Sequence, residues 1–321
     1  MDEKVVLRVA IAQIAPILLD RDATIAKVVE RVREAASGGC RLVIFGEALV
    51  PGYPVWIERI DGAQFNAEQN KRMYAAYTRA AIQPEAGDLD PIRDAAREGS
   101  IAVVLGTIER AADRGGHSVY CSRLYIEPDG TIGSVHRKLM PTHEERLAWA
   151  IGDGAGLVTH RLGPVTIGAL NCWENWMPLA RSALYAAGEN LHIAIWPGNE
   201  RNTRDITRFI AMESRSWVIS ACGLLRASDV PGDFPYRDRI VPDENELILN
   251  GGSCIAAPDG TWLLEPVTGS EELITAELDL ARVYEERHNF DPSGHYARPD
   301  VLQLMVDRTR QGVTREATSF E

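Results

Sequence analysis

Short, β-branched apolar runs alternate with segments of helical period along most of this 321-residue chain, and that alternation leaves few architectures open. Residues 5–14 read as a strand. The next segment sets Ile25, Val28, Val29, Val32 and Ala36 on one face, with Asp22 as its cap and Gly38-Gly39 as its stop. Leu42–Phe45 is a short buried strand, followed by helices over 67–82 and 91–98 and a strand over 101–108. A hairpin joins 119–127 to 131–138 across Pro128-Asp129-Gly130, and another joins 254–257 to 261–264 across Pro258-Asp259-Gly260. Strands over 192–196, 217–225 and 273–278 and helices over 178–187 and 203–215 complete the pattern. A mixture of βα units and hairpins predicts mixed sheets with helices packed outside them. With no repeat and no Pro/Gly/Ser linker, 1–287 is expected to form one domain. Residues 288–321 differ: their apolar residues follow no period, and the segment is expected to lie at a subunit interface.

Charge and cysteines narrow the partners. The net charge is 34 − 46 = −12, which argues against nucleic acid or an anionic membrane surface. No apolar run approaches the roughly 18 residues of a membrane span. Met1-Asp2-Glu3-Lys4 lacks the layout of a secretory leader, so a cytoplasmic protein is expected. The five cysteines, Cys40, Cys121, Cys172, Cys222 and Cys254, are odd in number and widely spread. They predict neither a disulfide framework nor a thiolate zinc site. Cys40, Cys121, Cys222 and Cys254 are read as core.

Three reactive side chains share one placement, just past an apolar strand: Glu47 after 42–46, Lys138 after 135–137 and Cys172 after 167–171. In α/β proteins the carboxyl ends of the strands gather around one crevice. A carboxylate there can act as general base, a thiol as nucleophile and an ammonium as stabiliser of an anionic intermediate. Cys172 also lies at a strand-to-helix elbow, whose free N–H groups are expected to lower the thiol pKa. Singly, each has a plainer reading: a packed thiol, a loop cap, a solvated strand end. Together they form a coherent set. His143-Glu144-Glu145-Arg146-Leu147 lacks the second histidine of a zinc helix. Gly152-Asp153-Gly154-Ala155-Gly156 is not a dinucleotide loop, and His192 reads as a satisfied histidine rather than a partner for the thiol.

Gly46-Glu47 with Pro51-Gly52-Tyr53-Pro54, His136-Arg137-Lys138 through Glu145-Arg146, and Asn171-Cys172-Trp173-Glu174 resemble the signatures of the nitrilase branch of the carbon–nitrogen hydrolases. The resemblance runs in order over nearly the whole chain, through 192–198 and 291–300. Tryptophan after the cysteine and Pro-Thr-x-x-Glu-Arg after the lysine resemble nitrilases more than amidases or carbamoylases. The resemblance implies an α-β-β-α sandwich that pairs into an eight-layer homodimer or larger spiral homo-oligomer. It also implies Cys172 as nucleophile, Glu47 as base, Lys138 as stabiliser and Glu145 as second carboxylate. Tyr53, Trp173 and Trp196 adjoin the motifs as pocket walls, and a core role fits Trp196 equally. The implied reaction converts a nitrile into a carboxylic acid and ammonia, with no metal or organic cofactor. An amidase or carbamoyl-amide hydrolase using the same residues is the alternative, and a scaffold without catalysis the third reading.

Overall fold

The computed structural model describes residues 5–314. The leader expectation on Met1–Lys4 and the end of the expected tail, 315–321, lie outside those residues.

In chain order the strands and helices are β1 (Val6–Gln13), α1 (Arg21–Ser37), β2 (Leu42–Phe45), α2 (Trp56–Arg59), α3 (Glu68–Ala80), α4 (Asp90–Gly99), β3 (Ala102–Arg110), β4 (Val119–Ile126) and β5 (Ile132–Arg137). The second half adds β6 (His160–Leu162), β7 (Val165–Asn171), α5 (Pro178–Ala186), β8 (Leu191–Trp196), α6 (Glu200–Ser214), β9 (Trp217–Cys222), β10 (Leu224–Arg226), α7 (Arg237–Ile240), β11 (Leu247–Ala256), β12 (Trp262–Thr268), β13 (Glu272–Asp279) and α8 (Ala281–Arg287).

Two sheets result. One has the order β13-β1-β2-β3-β4-β5, the other β10-β11-β9-β8-β7-β6 with β12 on β11. Strand parity shows how they pack, because successive side chains point to opposite faces. Val9 and Ile11, Leu42 and Ile44, and Ala102 and Val104 turn inward to meet Ile167, Ala169, Ile193, Ile195 and Ile219 of the other sheet. The alternate residues Ala10, Ala12, Val43, Phe45, Val103 and Leu105 face Val28 and Val32 of α1 and Ile92 and Ala96 of α4. On the far side, Ala194, Trp196 and Val218 pack under Ile206 and Ile210 of α6, and Leu170 packs under Ala180 and Leu184 of α5. The layers are therefore α-β-β-α, as the resemblance implies. Each buried Ile, Leu or Val side chain contributes about 1.5–3 kcal/mol to holding them together.

The centres of both sheets are parallel. β1, β2 and β3 run together, as do β7, β8 and β9. β5 is antiparallel to β4, which is antiparallel to β3, so β5 ends on the same side as β2. Glu47, Lys138 and Cys172 thus leave their strands in one direction.

Several boundaries differ from the sequence reading. Asp20, not Asp22, caps α1: its carboxylate accepts from the Ala23 N–H at 2.9 Å, while Asp22 lies in the first turn, where the helix dipole favours an acid. The single strand expected over 217–225 is two, β9 and β10, broken at Gly223. There a Cβ on Gly46 would stand 2.5 Å from the Gly223 nitrogen, so both glycines serve the close approach of the sheet ends. β11 starts well before 254 because its first half pairs with β10 and its second with β9. The elbow is not strand-to-helix directly: a 3-10 turn, Cys172–Trp176, precedes α5.

Past α8 the described residues 288–314 contain no helix or strand. Val306, like Leu139, packs against the buried cluster of Leu157, Leu170, Ala180, Ala183 and Leu184. Arg310 Nη1 lies 2.9 Å from Asp153 Oδ1, and the Gln311 N–H donates to Asp153 Oδ2 at 3.1 Å.

Candidate functional site

Each reactive side chain is fixed by its own corner. At the end of β2 the Glu47 N–H donates across to the Trp196 carbonyl of the other sheet at 3.0 Å. A Cβ on Gly106 of β3 would stand 2.6 Å from the Glu47 Cα, so glycine is what lets β3 pass this corner. Lys138 follows β5, and its N–H donates to the Cys121 carbonyl at 2.8 Å. Glu145 rides on the 3-10 turn His143–Leu147, whose capping box binds its carboxylate to the Thr142 N–H at 2.6 Å. Cys172 opens the 3-10 turn after β7 with φ +48°. That left-handed conformation costs a non-glycine residue about 1–2 kcal/mol. Asn175 holds it, its Nδ2 donating to the Cys172 carbonyl at 2.8 Å.

The four side chains meet. Lys138 Nζ lies 2.9 Å from Glu47 Oε1 and 2.7 Å from Glu145 Oε2. One oxygen of each carboxylate and the Cys172 sulfur all lie within 4.8 Å of one another. All four residues are buried, Cys172 at 3% being the most exposed. Tyr53 donates its hydroxyl to Glu145 Oε1 at 2.9 Å. The sulfur and carboxylates are close enough to hold a divalent cation, yet the Lys138 ammonium already sits between the carboxylates as their counter-charge.

Burial reverses one expectation. The Cys172 thiol is not lowered but held well above its usual range, first by desolvation and then by the charges of Glu47 and Glu145; Lys138 and the Trp173 N–H oppose this. The elbow's N–H groups are outweighed because the thiolate would form beside two carboxylates in a dry site. Glu47 is pushed up to about 7 by burial and by Glu145, against the pull of Lys138 and Cys121. Burial pulls Lys138 down, but the charges around it win and hold the ammonium well above its ordinary value. At rest the site holds a thiol and an ammonium, with a carboxyl poised near neutrality.

Two residues that sequence reasoning left without a role join the corners. Glu174 accepts from the Asn171 N–H at 2.8 Å and from the Leu139 N–H at 2.5 Å, and both of its oxygens meet His136 Nε2, at 3.0 and 3.1 Å. One buried carboxylate thus ties the residue before Cys172 to the residue after Lys138. The signal was in the pattern Asn171-x-x-Glu174, a capping box like Thr142-x-x-Glu145. His192 is a satisfied histidine, with Nδ1 on Glu189 at 2.9 Å and Nε2 on Asn175 Oδ1 at 2.8 Å.

The expected pocket walls separate. Tyr53 borders a cavity of about 100 Å³ with Val55, Ile248, Leu249, Arg59 and Glu144. Trp173 is half-exposed and leans on Trp176. Trp196 is fully buried in the same apolar cluster as Cys172, its indole N–H donating to Ser220 Oγ at 3.2 Å. A larger concavity of about 690 Å³ lies between α1 and α4, among Glu30, Arg33, Asp94 and Glu98, and none of the four meeting side chains lines it.

A sequence model of the carbon-nitrogen hydrolase family matches residues 8–288. An aliphatic nitrilase of Sinorhizobium fredii (strain HH103) is 37% identical over 306 residues, 94% of this chain and 95% of that protein. Nitrilase 2 of Arabidopsis thaliana is 36% identical over 94% of this chain and 89% of its own length. Among solved structures, a carbon-nitrogen hydrolase from Helicobacter pylori G27 superposes with a TM-score of 0.69 at 20% identity, covering 92% of this chain and 97% of its own.

Proposed function

This chain belongs to the nitrilase branch of the carbon-nitrogen hydrolase family, and from that premise we propose that it hydrolyses an organic nitrile to the carboxylic acid and ammonia. The observation that carries the reading is the meeting of Cys172, from one sheet, with the Glu47–Lys138–Glu145 cluster at the end of the other.

The steps follow from what each group can do. Glu47 accepts the thiol proton, and the Cys172 sulfur adds to the nitrile carbon. The nitrile nitrogen takes up a proton, giving a thioimidate. Water adds to that carbon as Glu47 takes its proton, and Lys138 offsets the charge of the tetrahedral species. The nitrogen leaves as ammonia, and a second water cleaves the thioester to release the acid and restore the thiol. Glu145 holds the ammonium in place, and Tyr53 in turn holds Glu145. Tyr53 and Trp173 supply walls for the substrate, while Trp196 backs Cys172 from the core.

Ammonia release from matched nitrile and amide panels tests the reaction. Turnover of nitriles, unchanged by EDTA, is the expected result. Turnover of amides alone would overturn the nitrile reading, and loss of activity in EDTA would overturn the metal-free one. Because Glu47 must be ionised to accept the thiol proton, kcat/KM is expected to rise with pH along an acid limb near 7. A profile flat from pH 5 to 8 would remove Glu47 as the base.

The outer face of α5 and α6 leaves Leu179, Phe209 and Met212 exposed. Such an apolar face favours a homo-oligomer paired through these helices. Val301, Leu302 and Met305 are exposed on the tail and supply a second contact for a neighbouring subunit. We read 1–287 as the single hydrolase domain, of which the family model matches nearly all, and 288–321 as that tail. Among the described residues no helix is long and apolar enough to cross a membrane. Five free, buried thiols fit a reducing cytoplasm.

A further inference from the structure

Cys121, read from sequence as core, touches Glu47, Lys138 and the residue before Cys172. It stands on β4 opposite Ile108. Its carbonyl accepts the Lys138 N–H at 2.8 Å, and its sulfur lies 3.4 Å from Glu47 Oε1. Asn171, the residue before Cys172, donates its side-chain amide to the same sulfur at 3.7 Å. With that donor on the sulfur, the thiol's own proton is directed to the carboxylate. Burial, followed by the Glu47 charge, holds the Cys121 thiol well above its usual range, so it keeps the proton it donates.

A second observation gives this contact its meaning. Glu47 Oε1 takes both the Cys121 S–H and the Lys138 ammonium, while Oε2 is buried without a hydrogen-bond partner among the described residues. A buried carboxylate oxygen left empty is costly unless the chemistry fills it. We infer that Cys121 is a positioning residue, whose S–H pins one oxygen of Glu47 so that the empty oxygen is the one that accepts the nucleophile's proton. The inference rests on the reaction proposed above. The groups facing Glu47 are Lys138 after β5, Glu145 on its turn, Cys172 at the elbow, Cys121 on β4 and, more distantly, Tyr53 and Tyr77 of α3. Of these, Cys121 is the neutral donor in contact.

The test measures the pH dependence of Cys172 alkylation by iodoacetamide, resolved by peptide mass spectrometry, together with nitrile turnover. Cys121→Ala removes the donor and Cys121→Ser keeps one. In the alanine variant the alkylation midpoint is expected to rise by roughly half a pH unit or more. Its kcat should fall several-fold with little change in KM. Serine, a stronger donor, should return the midpoint to the wild-type value or below it. Superimposable curves for wild type and Cys121→Ala at equal thermal stability would overturn the inference. If the alanine variant does not fold, serine decides alone, and a midpoint above wild type overturns it. Alkylation needs no substrate, so a shifted midpoint without nitrile turnover faults the proposed reaction and not the positioning.

Discussion

Cys172→Ala is expected to lose nitrile hydrolysis by at least about four orders of magnitude while leaving the fold intact, because covalent attack has no substitute in this site. The neighbouring thiol of Cys121 is a donor to Glu47 rather than a nucleophile facing solvent. Alanine meets the same backbone demand at φ +48° as cysteine and removes a single buried sulfur. The melting temperature should therefore move by no more than a few degrees. Single-turnover ammonia release and intact-protein mass spectrometry check both halves. The variant should release no ammonia and carry no acyl or thioimidate adduct. Activity within tenfold of wild type would mean that another group attacks the nitrile.

Lys138→Met should have the second large effect, on activity and stability together. Methionine replaces the stem but not the ammonium, which leaves Glu47 and Glu145 facing each other in a dry site. Removing one member of a buried ion pair costs about 3–5 kcal/mol. The two carboxylates cannot both stay charged, so the folded variant must take up a proton that the unfolded chain, with solvated carboxyls, does not hold at neutral pH. A carboxyl whose folded pKa is raised destabilises the protein as pH rises above its unfolded value. The deficit against wild type should accordingly be small near pH 5 and largest near pH 8. Urea unfolding at both pH values reads it directly. Equal deficits at the two would show that the loss is packing rather than uncompensated charge. Hydrolysis should fall at least about a thousandfold at either pH.

Much of the site is legible in the sequence alone. Glu47, Lys138 and Cys172 each stand one step past an apolar run, and the convergence of strand ends is a property of the architecture. Glu145 came from the resemblance, since nothing in its local pattern separates it from Glu144. What stayed hidden depends on partners distant in sequence. Asp20 and Asp22 both suit a helix start, and only the turn geometry chooses Asp20. The break at Gly223 exists because Gly46, in the opposite sheet, presses on it. The direction of the thiol shift is not legible in sequence, which displays helix N–H groups but not the desolvation and paired carboxylates that outweigh them. Glu174 and His136 stood inside recognised motifs, yet their bond appears only when β5 meets the elbow.

Neither sheet contains the reagents alone. Glu47 and Lys138 follow strands of one, Cys172 follows a strand of the other, and the Glu47 N–H to Trp196 bond crosses between them. The first sheet is also not complete until β13, near the end of the described chain, pairs with β1. The complete site therefore exists only where the two sheets are docked. With the sheets apart, the Cys172 thiol is separated from the Glu47–Lys138–Glu145 cluster, and the site depends on contacts distant in sequence. Activity is consequently a more stringent reporter of the native state than secondary-structure content, and should vanish first as the two sheets part.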